Sequence, residues 1–120
     1  MQNTNYYGFD DWKDVGSQFG ADVGAEPKFV YAVYSTPAYE GNAIVVFCRD
    51  GQWFEASGGH CSCYGLEEGG WRPEPTDPAL HLAAVAEGRH ILLVSDTEGD
   101  YPEAKQENFD AWLGWAVAQQ

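Results

Sequence analysis

Residues 58–71, GGHCSCYGLEEGGW, place one histidine and two cysteines within four consecutive positions: His60, Cys61 and Cys63. Thiolate sulfur and imidazole nitrogen are the ligands that zinc prefers in proteins. A histidine beside a cysteine can also lower the pKa of the thiol and make it a nucleophile. These residue types therefore suggest a zinc site or a thiol-dependent enzyme centred on the three residues.

The spacing of the same residues argues against both chemistries. In an extended strand, Cys61 and Cys63 share one face and His60 lies on the other. A structural zinc needs four ligands, usually in C-x₂-C pairs, and C-x-C is not that spacing. We therefore expect the cysteines to be small buried residues on a core-facing strand, with no metal and no cofactor. The zinc or thiol enzyme remains an alternative.

The composition is that of one folded domain over residues 1–120, with 44% hydrophobic and 15% aromatic residues. We expect no secretory leader and no membrane span, because the sequence has neither a basic segment followed by an apolar run nor an apolar stretch of membrane-spanning length. Three cysteines are an odd number at low density, which does not suggest a secreted disulfide scaffold. We expect a reduced, cytoplasmic compartment.

The first half of the chain predicts an arm followed by strands. Residues 1–27 are rich in Gly, Asn and Asp and are expected to form an irregular arm, with one short helix near 10–19. Residues 28–66 predict a β-meander because aromatic and β-branched runs alternate with turn residues. Its strands are expected at 28–35, 43–49, 52–57 and 60–66, with Asp50-Gly51 as a hairpin turn.

Helices are predicted in the second half. Thr76 is the expected N-cap of a helix over residues 76–87, which Gly88 ends. The apolar run 89–95 is expected to be a strand. A C-terminal amphipathic helix is predicted over 100–118, with Asp100 and Glu103 as a capping box. Its apolar stripe recurs at helical spacing: Phe109, Trp112, Leu113, Ala116 and Val117.

This order of elements predicts an α+β fold, a small mainly antiparallel sheet of four or five strands packed against two helices. The stretch HCSCYGLEEGGWRPEPT also resembles a motif of small, mostly uncharacterised phage and prophage proteins, in which HCSC-aromatic-GLE precedes an aromatic residue and Pro-Glu. The resemblance covers about 17 of the 120 residues. It implies a phage-type origin and no particular reaction.

The charge balance is the strongest functional signal. The chain has 19 Asp and Glu against 6 Lys and Arg, a formal net charge of −13. Such a charge repels nucleic acid and anionic membrane surfaces and favours a basic partner. The acids cluster at 96–110 and beside the cysteine motif. The predicted protein-binding residues are Asp96, Glu98, Asp100, Glu103, Glu107, Asp110, Glu67 and Glu68.

Carboxylates in such an array can imitate the phosphates of a nucleic acid. The sequence therefore predicts a small acidic binding protein that inhibits a host nucleic-acid-binding defence protein in the bacterial cytoplasm, of the anti-CRISPR or anti-restriction type. A structural or accessory domain whose acidity only keeps it in solution is a further alternative. The sequence carries no P-loop, G-x-S-x-G or H-E-x-x-H. His81 and His90 are expected at the surface and at a strand edge.

Overall fold

A computed structural model describes residues 1–36, 40–60 and 65–120. Within these residues the structure has a five-stranded, mostly antiparallel sheet and three helices, which confirms the predicted α+β class. The strands are β1 (Thr4–Tyr7), β2 (Phe29–Ser35), β3 (Gly41–Arg49), β4 (Gln52–His60) and β5 (Glu74–Pro75). The helices are α1 (Trp12–Phe19), α2 (Pro78–Ala86) and α3 (Gln106–Ala118).

The strands lie in the sheet in chain order, β1-β2-β3-β4-β5. Among the strand pairs of the described residues, only the first, β1 with β2, is parallel. Asp50 and Gly51 join β3 to β4 with φ angles of 53° and 79°. Positive φ at both central residues matches the right-handed twist of a hairpin, so the Asp-Gly signal is confirmed.

Alternation along β2 builds a hydrophobic core on each face of the sheet. Val30 and Ala32 join the first core, which α1 covers together with Leu66. Phe29, Tyr31 and Val33 join the second core, which α3 covers. The helices therefore enclose the sheet from both sides, because a strand buried on both faces needs a covering layer on each.

Residues 1–27 are not irregular throughout. β1 extends the sheet, and α1 starts at its N-cap Asp11, whose side chain accepts a hydrogen bond from the Asp14 N–H at 2.8 Å. Sequence patterns missed β1 because its pairing partner, β2, is more than twenty residues away. The strand predicted over 60–66 falls partly on residues outside the described ranges. Within them, His60 ends β4 and Leu66 begins a 3₁₀ turn.

Two predicted helix starts are wrong. Asp77, not Thr76, caps α2 through a hydrogen bond from the Ala79 N–H at 2.9 Å. α3 begins at Gln106, with no side-chain cap, after a 3₁₀ turn over Pro102–Ala104. Asp100 does not cap the helix, because its carboxylate is occupied by the end of β2.

The strand predicted over 89–95 is also wrong. This segment has no helix or strand before the 3₁₀ turn at Ser95–Thr97. The Leu92 N–H donates to Nδ1 of His81 at 3.3 Å, and the Val94 N–H donates to Oε1 of Gln106 at 2.7 Å. Side chains thus accept the hydrogen bonds of backbone N–H groups that would donate to a neighbouring strand if this segment belonged to the sheet.

Candidate functional site

All eight acids of the predicted binding surface lie in the described part of the chain. The exposed ones are Glu67, Glu68, Asp96, Asp100, Glu103 and Glu107. Glu98 is partly exposed, whereas the Asp110 side chain retains only 12% of its accessible surface. A binding surface requires its carboxylates to point to solvent, and Asp110 is largely buried.

The sheet separates these acids into two groups. Glu67 and Glu68 belong to the turn that begins at Leu66, a residue of the core beneath α1. The remaining acids lie in the segment 96–110, which contributes Phe109 to the core on the opposite face. We call the exposed and partly exposed members of this second group the C-terminal acidic surface: Asp96, Glu98, Asp100, Glu103 and Glu107.

Two members of the C-terminal acidic surface also support the fold. The Asp100 carboxylate accepts hydrogen bonds from the Thr36 N–H at 2.8 Å and from the Ser35 hydroxyl at 3.2 Å. Glu98 accepts the Gln106 N–H at 3.3 Å. By contrast, the carboxylates of Asp96, Glu103 and Glu107 form no hydrogen bond or ion pair with any described residue. These three are available to a partner.

Asp110 is the centre of a cluster with two histidines. His81, in α2, is 1% exposed, and its Nε2 lies 2.8 Å from Oδ1 of Asp110. His90 is 35% exposed, and its Nδ1 lies 3.2 Å from Oδ2 of the same carboxylate. His81 is therefore a buried residue and not the surface residue that the sequence predicts.

Hydrogen bonds within the cluster determine which nitrogen of His81 carries the proton. Because Nδ1 of His81 accepts the Leu92 N–H, the proton of the neutral ring resides on Nε2 and is donated to Asp110. Gln106 donates from Nε2 to Oδ1 of Asp110 at 3.0 Å and to the Leu92 carbonyl at 2.8 Å. The cluster thus connects α2, α3 and the irregular segment between them.

The same pattern of donors disfavours a metal centre here. One ligand atom from each of His81, His90 and Asp110 lies within 4.8 Å of the others, a spacing that an ion could bridge. A metal on Nε2 of His81 would move the ring proton to Nδ1, where it would face the Leu92 N–H. Metal-bound histidines normally donate that other N–H to an acceptor. We therefore interpret the cluster as a hydrogen-bonded support for the fold.

His90 borders a surface depression of about 390 Å³ that Glu98, Lys105 and Glu107 also line. A histidine that acts as a general base has a similar arrangement, in which a carboxylate binds one ring nitrogen and the other nitrogen is accessible. A nucleophile would have to meet the other ring nitrogen. No described residue forms a hydrogen bond with Nε2 of His90, so the geometry identifies no reaction.

His60, from the alternative zinc or thiol site, packs against Tyr34. Its Nε2 lies 2.6 Å from the Tyr34 hydroxyl. Burial, and then the Glu67 carboxylate, raise the pKa of Tyr34, so its hydroxyl keeps the proton near neutral pH and can donate it. Cys61 and Cys63 lie outside the described residues.

The negative charge is scarcely neutralised within the fold. Among the described residues, only Glu87 pairs with a Lys or Arg side chain, Arg89 at 2.6 Å. Arg49 instead donates to the carbonyls of Val23 and Ala25, at 3.1 and 2.8 Å. Its guanidinium is thereby used within the fold and compensates no surface carboxylate.

The histidine cluster could not be found as a short motif, because its members lie on three separate parts of the chain. One signal was available. Gln106, Phe109, Asp110 and Leu113 recur at helical spacing, which places two polar residues along an apolar stripe. Polar residues in that position need partners from another element.

No helix among residues 1–36, 40–60 and 65–120 combines the length and apolar character needed to cross a membrane. No protein-family model, curated protein or solved structure matches the chain.

Proposed function

We propose that the protein binds a basic protein surface of the kind that normally grips nucleic acid, with its carboxylates in the place of phosphates. The resemblance of the HCSC motif to phage proteins suggests the setting. The partner is then a host defence protein in the bacterial cytoplasm, and binding blocks its access to DNA or RNA.

One observation carries this proposal. Asp96, Glu103 and Glu107 are exposed and free of hydrogen bonds and ion pairs with the described residues, in a chain with a net charge of −13. A field of a single sign is what a surface requires when it steers a charged partner, and a mixture of both signs avoids such a field. An unneutralised surface instead attracts basic partners over a distance and speeds their association.

The experiment is affinity capture from a bacterial lysate at low and high salt, followed by competition with duplex DNA and with RNA. We expect a captured basic protein that nucleic acid displaces and that high salt releases, because screening weakens attraction between exposed charges. The triple variant Asp96→Lys, Glu103→Lys, Glu107→Lys should abolish capture.

The matched control changes three exposed carboxylates outside the predicted binding residues by the same total charge: Asp10→Lys, Glu40→Lys and Glu87→Lys. Capture should largely survive in this control. Equal loss in both triple variants would mean that overall charge, and not the C-terminal acidic surface, holds the partner. Capture that resists both salt and the first triple variant would overturn the proposal.

A further inference from the structure

A groove of about 330 Å³ lies between the segment 91–93 and the paired strands β4 and β5. We call it the β4–β5 groove. Ile44, Ile91 and Leu93 form its apolar side, and Glu55 and Glu74 are its acidic residues. None of these five residues belongs to the C-terminal acidic surface.

The apolar side of the groove is held open to solvent. Ile91 is 56% exposed and Leu93 is 46% exposed, while Leu92 and Val94 between and beside them are buried. The backbone N–H groups of Leu92 and Val94 donate hydrogen bonds to His81 and Gln106. These bonds maintain the alternation of exposed and buried side chains along residues 91–94. Large apolar side chains displayed beside each other in this way are typical of a binding surface.

On the acidic side of the groove, two glutamates of like charge face each other. Glu55 and Glu74 are directly opposite each other in the register of β4 and β5. Like charges at such positions destabilise a sheet. Burial, and then Glu74, raise the pKa of Glu55. Neither carboxylate forms a hydrogen bond or ion pair with a described residue, so a cation between them would remove the repulsion.

Arg72 also lines the β4–β5 groove, and its side chain is exposed. It forms no ion pair with Glu55 or Glu74 in the described part of the chain. An incoming cation would therefore break no existing salt bridge, and the two carboxylates of the groove outnumber the single positive charge of Arg72 that would repel it.

We propose that the β4–β5 groove binds an arginine side chain that is flanked by apolar residues on a partner protein. The planar guanidinium can donate to two carboxylates at once, which a lysine ammonium does with less geometric fit. The aliphatic stem and the flanking residues cover Ile91 and Leu93. This inference rests on the proposed function, because it gives the basic partner a specific anchor on the acidic protein.

The test is an NMR titration of the full chain with the peptide acetyl-Leu-Arg-Leu-amide. Amide signals of β4, β5 and residues 91–93 should shift in a saturable way. The peptide in which citrulline replaces arginine keeps the shape and loses the charge, and it should bind about tenfold more weakly. Acetyl-Gly-Arg-Gly-amide, which lacks the apolar flanks, should also bind more weakly.

Two pairs of variants locate the site. Glu74→Gln should weaken binding of the arginine peptide about fivefold or more. Asp96→Asn makes the same change in net charge and should leave binding unchanged. Ile91→Ser should also weaken binding of this peptide, while Leu80→Ser, which alters a similarly exposed leucine outside the groove, should not. Equal effects within either pair, shifts confined to residues 96–107, or no shift at millimolar peptide would each overturn the inference.

The proposed function and the groove can fail separately. If the lysine triple variant abolishes capture while the peptide does not shift the groove signals, only the groove proposal falls. If the peptide binds the groove but no salt-sensitive partner is captured, the site stands and the mimicry proposal falls.

Discussion

On α3, Glu107 and Asp110 lie within one helical turn of each other but have different surroundings. Glu107 is exposed, whereas Asp110 accepts hydrogen bonds from His81 and Gln106 and also contacts His90. Charge patterns in the sequence grouped the two residues together. Only the positions of α2 and the segment 90–94 distinguish the residue that supports the fold from the residue that is available to a partner.

We expect Asp110→Ala to lower the free energy of unfolding by about 3 kcal/mol, because it leaves buried donors on His81 and Gln106 without an acceptor. Glu107→Ala should change it by less than about 0.5 kcal/mol. Urea unfolding of both variants measures the difference. Equal and small losses would show that the histidine cluster contributes little to the fold.

Glu55 gives a prediction with a defined pH dependence. Its pKa is raised in the folded state, so the ionised form is disfavoured there. Stability linked to Glu55 is complete below the ordinary glutamate pKa of about 4.3 and is lost as the pH rises through the raised value. Glu55→Gln should therefore stabilise the protein at pH 7, by up to about 1 kcal/mol.

That gain should shrink as the pH falls to about 4.5, since the wild-type carboxyl then becomes protonated in the folded state. Unfolding by urea at several pH values would follow it. Glu107→Gln is the control and should show no such trend, because Glu107 is exposed. A gain that does not vary with pH would point to a packing effect of the amide.

Among the elements, α3 covers one core with a stripe of four buried side chains: Phe109, Trp112, Leu113 and Ala116. Trp112 is 2% exposed, and its Nε1 donates to the Gln2 carbonyl at 2.8 Å. Trp115 is only partly buried and contacts the ring of Phe29. The two tryptophans therefore differ in how much packing they supply.

Trp112→Ala should destabilise the protein by about 3–5 kcal/mol, because it leaves a cavity in the second core and removes a hydrogen bond. Trp115→Ala should cost clearly less. Thermal and urea unfolding compare the two, and tryptophan fluorescence reports whether the rest of the core stays packed. Similar losses would mean that the edge of α3 contributes as much as its stripe.

Elements were predictable where one local pattern determined them. The stripe of α3 and the Asp50-Gly51 hairpin are such patterns, and both are found as predicted. The start of α3 was not predictable, because Asp100 is bound by Ser35 and Thr36, far away in the chain. The segment 89–95 was missed for the same reason: the side chains that bind its backbone come from α2 and α3.

At the scale of the whole molecule, charge dominates behaviour in solution. The described residues contain one ion pair with a Lys or Arg side chain, so added salt weakens little attraction between opposite charges. Its main effect is to screen the repulsion between carboxylates. We therefore expect added sodium chloride to raise the Tm by a few degrees. The triple variant Asp96→Lys, Glu103→Lys, Glu107→Lys has a net charge of −13 + 6 = −7. Its Tm should rise less with salt.

Differential scanning calorimetry over a salt series measures both proteins. A Tm that falls with salt would mean that attractive ion pairs outweigh the repulsion between carboxylates. The net charge, and with it this behaviour, can be predicted from composition alone. The division of the acids between two sides of the sheet cannot, because it depends on where the chain crosses from one face to the other.

The two cores have a consequence for synthesis on the ribosome. Every residue of the core beneath α1 has been made once Trp71 emerges. The other face of the same sheet, with Phe29, Tyr31 and Val33, still lacks its cover, since Leu92 to Ala116 come later. A nascent chain paused between these points would present a bare apolar sheet face, which is the kind of surface that chaperones bind and that aggregates when left uncovered.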